Sequence, residues 1–137
     1  MTFQGYMVQA DSATTDGSTL RYIVRLPWYR SLPLSAVVVL AVEIDGREIS
    51  GDLIRLEVNG GSYRIEDLAE RWDDIWFVQD EATVAITDST AAALHHAEIT
   101  TVIDLRSPYI LIGPERPLVT NTRSRQVFEI AQKVPTS

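Results

Sequence analysis

The stretch that decides the fold is Ala36-Val37-Val38-Val39-Leu40-Ala41-Val42-Glu43-Ile44-Asp45-Gly46. Its valines are stiff at χ1 and pack well on a pleated surface, so the run favours a strand over a helix. Apolar residues fill both faces from 36 to 44, which predicts a strand in the middle of a sandwich. At 36–42 the apolar run is far too short to span a bilayer as a helix. It stops at Asp45-Gly46, a pair that reaches positive φ readily and predicts a tight turn, with the residues that follow as an antiparallel partner.

Working outward, residues 19–26 alternate, with Leu20, Tyr22, Val24 and Leu26 on one side and Arg21 and Arg25 on the other, as a half-buried strand requires. Residues 53–58 repeat the pattern, Ile54, Leu56 and Val58 against Arg55 and Glu57, and end in Asn59-Gly60-Gly61, a second turn signal. Further short runs lie at 76–78, 82–86, 96–105, 109–112 and 126–131. In 96–105, Ile99, Thr101, Ile103 and Leu105 share a face, while Asp104 and Arg106 point the other way. One helix is expected over 65–72, where Ile65, Leu68 and Trp72 recur at helical spacing and Glu66 and Asp67 suit the first turn. This rhythm predicts an all-β fold, an antiparallel β-sandwich or barrel-like domain with one short helix, as a single domain over residues 1–137.

A chain of 137 residues fits one domain, and its 45% hydrophobic content lies in the range of folded proteins. The net charge of −7 argues against nucleic acid, whose binding proteins place cations on phosphates, and against anionic membrane. No signal peptide is legible at the N-terminus. With no cysteine, neither disulfides nor thiol chemistry contribute, and the cytoplasm is the expected compartment.

The candidate sites each have an ordinary reading beside the chemical one. His95 and His96 are the only histidines; neighbours diverge in a strand and obvious co-ligands are missing, so a solvated strand start explains them better than a metal. Asp73, Asp74, Asp80 and Glu81 flank Trp76 and Phe77, an arrangement that suits sugar binding or a tuned acid, but also an ordinary loop after a helix. Trp76 and Phe77 themselves read as the start of a core strand. Ser31 has no general base at a readable spacing and no nucleophile-elbow motif around it. Residues 59–61 lack the lysine and hydroxyl of a phosphate loop. Arg116, Arg123 and Arg125 read as a small basic cluster in a loop around Pro114 and Pro117, suited to a carboxylate or another subunit, or simply solvated.

Pro27-Trp28-Tyr29-Arg30-Ser31-Leu32-Pro33-Leu34 differs from all of these. Two prolines make it a stiff, extended connection, and they bracket Trp, Tyr and Arg, the residue types most enriched at interface hot spots. Trp28 either faces a partner or turns inward to close one end of the sandwich.

With the strand that follows, Asp45-Gly46, Tyr63, Leu68 and the 72–80 stretch, this octapeptide resembles the small β subunit of bacterial C-glycoside deglycosidases. The resemblance spans residues 27–80. It implies a heteromeric carbon–carbon lyase acting on 3-keto C-glycosides. An α subunit similar to TIM-barrel sugar-phosphate isomerases would hold a divalent metal of the Mn or Mg type, and this chain would be its β-sandwich companion in a hetero-oligomer of one or several αβ pairs. No cofactor, metal or catalytic residue is then assigned to this chain. Pro27, Trp28, Tyr29, Arg30, Ser31, Leu32 and Pro33 form the candidate partner interface or active-site rim. Two other functions stay open: a free-standing carbohydrate-binding module with Trp28, Trp72 and Trp76 as a stacking platform, and a small cupin-like metal enzyme.

Overall fold

Two Asx-Gly dipeptides reverse the chain where the sequence places them. In the computed structural model, Asp45 and Gly46 take φ of 51° and 83°, and Asn59 and Gly60 take 54° and 79°. Two successive left-handed residues make the turn whose twist matches that of paired strands. The structure describes residues 7–28, 31–113 and 116–132, with the backbone path alone over 107–113 and 116–118.

The strands are β1 (Thr14–Thr15), β2 (Leu20–Arg25), β3 (Leu32–Pro33), β4 (Val37–Ile44), β5 (Arg47–Glu48), β6 (Ile54–Val58), β7 (Gly61–Tyr63), β8 (Ile75–Trp76), β9 (Glu81–Ile86), β10 (His96–Gly113), β11 (Arg116–Glu129) and β12 (Ala131–Gln132). One sheet has the order β12-β1-β2-β9-β6-β7, a second β11-β10-β4-β5, and β3 pairs with β8 as a separate small sheet. All pairings are antiparallel except β1 with β12. The two large sheets face each other as a sandwich. Leu20, Tyr22 and Val24 meet Ile99, Ile103 and Phe128 in one core cluster, with the Tyr22 and Phe128 ring centroids 5.7 Å apart. The Tyr22 hydroxyl and Thr101 Oγ1 share a hydrogen bond of 2.8 Å inside this core. Burial pushes the Tyr22 phenol above its ordinary range, so it stays a neutral partner at any physiological pH.

Some expectations need correction. The helix α1 (Ile65–Leu68) is a single turn and does not reach Trp72. Asp67 accepts from the Arg64 N–H at 3.0 Å and starts it. It ends early because the Arg71 and Asp74 carbonyls accept from the Ser35 and Leu34 N–H groups, tying the chain to the segment before β4. A second single turn, α2 (Ser89–Ala92), is present, capped by Asp88, which accepts from the Thr90 N–H at 2.9 Å. Residues 109–112 are not a separate strand but the continuation of β10. Arg123 and Arg125 lie on β11 rather than in a loop, because β11 runs unbroken from Arg116 to Glu129. Finally, only one face of β4 is covered, and a bulge between the Asp104–Val39 and Leu105–Val37 pairs leaves both Val38 and Val39 exposed.

Two carboxylates tie down the turns at the end of the sandwich opposite β3 and β8. Asp16 accepts from the N–H groups of Ser18 and Thr19 and from the Ser18 hydroxyl, and these bonds hold it well below the usual carboxylate range. Burial works to raise the Asp88 carboxyl, but the Thr90 N–H and the Arg47 guanidinium together outweigh it and hold it low. Both groups therefore release their proton more readily folded than unfolded. Their stabilising contribution is complete above about pH 4, the ordinary unfolded value, and is lost as pH falls from there through the folded values. The melting temperature is expected to hold from neutral pH to about 5 and to fall below about 4. In circular-dichroism melts, Asp16→Asn with Asp88→Asn should flatten part of that fall; an unchanged acid limb would show that these two carboxylates do not contribute.

Candidate functional site

The octapeptide and the 72–80 stretch, far apart in sequence, meet at one end of the sandwich. Pro27 is buried, and the Trp28 N–H donates back to the Leu26 carbonyl at 2.9 Å, turning the chain out of β2. The Trp28 side chain is half-buried and packs on the edge of the core. Tyr29 and Arg30 lie outside the described residues. Leu32 then pairs with Trp76, and Pro33 with Ile75. Around this small sheet, Ser31 Oγ accepts from the Val78 N–H at 2.8 Å, and the Asp74 carbonyl accepts from the Leu34 N–H at 2.8 Å. Ser31 thus serves as a strut between the two segments.

The pairing sorts the aromatic residues. Trp76 is fully buried, with Nε1 donating to the Asp80 carbonyl at 3.1 Å. Phe77, the next residue, points away and is 54% exposed, so only half of that pair begins a core strand. Trp72 is 73% exposed. The three-tryptophan stacking platform is therefore not formed, because Trp76 faces the core.

The carboxylates near these aromatics are held by different partners. Asp74 accepts from Asn59 Nδ2 at 2.7 Å and from the Tyr63 hydroxyl at 3.3 Å, while Glu81 accepts from Arg25 at 3.0 Å. Asn59 Nδ2 also donates to the Ile75 carbonyl at 2.7 Å, so a turn residue clamps the start of β8. Tyr63 reaches Asp74 by folding back across Gly61, where a Cβ would collide with its hydroxyl. The Arg71 guanidinium lies 4.9 Å from the Tyr63 ring centroid and completes this support beside Trp72. Asn59, Tyr63 and Arg71 carry no sequence signal for this role beyond the Asn-Gly turn, because their partners are distant in the chain.

The other candidates lie elsewhere. His95 and His96 are exposed at the opposite end, where β10 begins. Among the described residues, no three His, Asp or Glu side chains converge as a metal set would. Arg123 and Arg125 point outward from β11, with Arg125 3.7 Å from Glu98; the side chain of Arg116 lies outside those described. Among the described residues no helix is long and apolar enough to cross a membrane. What the site offers is two large exposed aromatics, one half-buried tryptophan and a rigid hydrogen-bonded base. Trp and other aromatic anchors are the residue types that carry much of the energy where proteins meet.

Comparison with known proteins gives a consistent set of relatives. The C-glycoside deglycosidase beta subunit family matches residues 4–109. The 3'-dehydrocarminate deglycosidase beta subunit of a Microbacterium species is 36% identical over 111 residues, 81% of this chain and 83% of that protein. A C-glycoside deglycosidase beta subunit of Arthrobacter globiformis is 39% identical over 94 residues, 68% of this chain and 71% of that one. One from Microbacterium trichothecenolyticum is 32% identical over 123 residues, 90% of this chain and 93% of that one.

Proposed function

The chain belongs to the C-glycoside deglycosidase beta subunit family, and we propose that it is the accessory subunit of a heteromeric enzyme that splits the carbon–carbon bond between a sugar and an aromatic aglycone. The observation that carries this reading is the family match over residues 4–109, which includes both segments of the aromatic end. One relative is named for a 3'-dehydro substrate, and a ketone at that position is what makes such a bond breakable.

A C-glycosidic bond resists acid hydrolysis because its leaving group is carbon. With a ketone at sugar C3, the proton on C2 becomes acidic, and its removal by a base gives an enolate. As the carbonyl re-forms, the electron pair makes a C1–C2 double bond, the C1–aryl bond breaks, and the aryl carbon takes up a proton. The products are a free aglycone and an unsaturated keto sugar.

In this reading the reacting groups belong to a partner of the TIM-barrel sugar-phosphate isomerase type. This reading is supported by the carboxylates Asp74 and Glu81 being taken up by Asn59, Tyr63 and Arg25. A divalent ion, with the acid–base residues, is assigned to that α subunit. This chain stabilises the partner and shapes the rim of its site in a cytoplasmic hetero-oligomer. Trp28, Trp72 and Phe77 form the contact, joined by Tyr29 and Arg30 of the same octapeptide on the sequence reading alone, and keep water from the aglycone side.

Co-expressing the chain with a candidate larger subunit, and measuring aglycone release from a 3-keto C-glycoside, tests this directly. Activity is expected from the pair and not from this chain alone. Full activity of the larger subunit alone would overturn the accessory role.

A further inference from the structure

The two tight turns of the fold differ in a way that turn geometry does not require. Asp45 and Asn59 hold the same place, each the first left-handed residue before a glycine, with φ of 51° and 54°. Aspartate, asparagine and glycine all suit that place. Their side chains face opposite partners. Asp45 accepts from the Glu98 N–H at 2.9 Å. Asn59 Nδ2 instead donates, at 2.7 Å, to the Asp74 carboxylate and the Ile75 carbonyl. A carboxylate at 59 would meet oxygen on both sides, and a glycine would reach neither. The amide is therefore set by residues 74 and 75, not by the turn.

Those two residues lie midway between Trp72 and Phe77, the exposed aromatics of this end. Residues 72–74 belong to no strand or helix, and β8 is only two residues long, so the shape of this stretch comes from ties to other segments. On one side, the Arg71 and Asp74 carbonyls accept from the Ser35 and Leu34 N–H groups, and Ser31 Oγ accepts from the Val78 N–H. On the other, the β6–β7 hairpin of the six-stranded sheet reaches across: Asn59 holds one oxygen of the Asp74 carboxylate and the Tyr63 hydroxyl the other. The Asn59 bonds are exposed, so water replaces them when they are cut, and global stability depends on them little. What they fix is the placement of Trp72 and Phe77. An element already held in its bound arrangement loses less freedom on association, which raises affinity without adding a contact.

We infer that Asn59 is a positioning residue for assembly: acting through Asp74 and Ile75, its amide holds the stretch between Trp72 and Phe77 in the arrangement that the catalytic subunit binds. The inference rests on the accessory-subunit reading. It assigns Asn59 itself no contact with the partner.

The test uses the full chain and the larger subunit that gives activity with it on co-expression. Asn59→Gly keeps the left-handed turn and removes only the side chain. It is expected to weaken binding about tenfold by calorimetry, with the melting temperature within a few degrees of the parent. In the free chain, hydrogen exchange at the Leu34 and Val78 N–H groups should quicken about tenfold, while exchange in β2 and β9 stays unchanged. Gly61→Ala loosens the same carboxylate by another route, since its Cβ would collide with the Tyr63 hydroxyl, the movable end of a side chain. It should shift affinity and exchange in the same direction, and it carries the test if Asn59→Gly does not fold. In a chain that also carries Trp72→Ala and Phe77→Ala, Asn59→Gly should change affinity less than about twofold, because the residues it acts through are gone.

Unchanged exchange at Leu34 and Val78, or binding within twofold of the parent, overturns this inference alone. So does a tenfold loss that persists without the two aromatics, which would make Asn59 a direct contact. If that triple variant binds too weakly to measure, the exchange of the free chain decides. An unaltered chain that binds no larger subunit overturns the accessory-subunit reading, and this inference with it.

Discussion

Trp76→Ala is expected to destabilise the chain by about 3–5 kcal/mol, the usual cost of emptying a large aromatic site in a core. Trp76 is fully buried, so the variant loses its apolar contacts and leaves a cavity. It also frees the Asp80 carbonyl from Nε1, at 3.1 Å, and removes the residue opposite Leu32 in the β3–β8 pair. For a chain of this size the melting temperature should drop by roughly 10–20 °C. Trp76→Phe should cost less, about 1–3 kcal/mol, because burial is largely kept and mainly the hydrogen bond is lost. Urea unfolding followed by circular dichroism separates the two. A Trp76→Ala variant as stable as the parent would place this residue outside the core.

The opposite behaviour is expected of the exposed aromatics. Trp72→Ala and Phe77→Ala remove side chains that are 73% and 54% exposed, so each should change stability by no more than about 0.5 kcal/mol. If they meet the catalytic subunit as proposed, each should weaken assembly by about 2 kcal/mol or more, roughly thirtyfold in Kd. Sedimentation or calorimetry with the catalytic subunit reads this, with the melting temperature as a control. Assembly unchanged by both substitutions would remove this end from the interface. Trp76 and Phe77 are adjacent in sequence, yet one should move only stability and the other only assembly.

The frame of the fold was legible because its signals are local. Alternation in 19–26 and 53–58 depends only on the two-residue repeat of a strand, and both Asx-Gly turns depend only on which residues tolerate positive φ. The helix expected over 65–72 failed at its end because nothing local says that the Arg71 and Asp74 carbonyls will be taken by Ser35 and Leu34. The apolar residues on both faces of β4 predict a strand in the middle of a sandwich, but composition does not show the bulge that leaves Val38 and Val39 exposed. The loop assigned to Arg123 and Arg125 rested on nearby prolines, but Pro117 sits near the start of a strand whose long pairing with β10 overrides that signal.

For the site, the sequence by itself determined that the chain has no cysteine and only two adjacent histidines, that stiff aromatic-rich segments lie at 27–34 and 72–80, and that these resemble an accessory subunit. Only the tertiary structure decided that the segments pair, that Trp76 closes the core while Trp72 and Phe77 face out, and that Asp74 is held by Asn59 and Tyr63 rather than poised as an acid. The reason is physical. Which way a side chain turns in a two-residue strand is set by the hydrogen bonds and packing of its neighbours in space, and those neighbours come from parts of the chain that no local pattern connects.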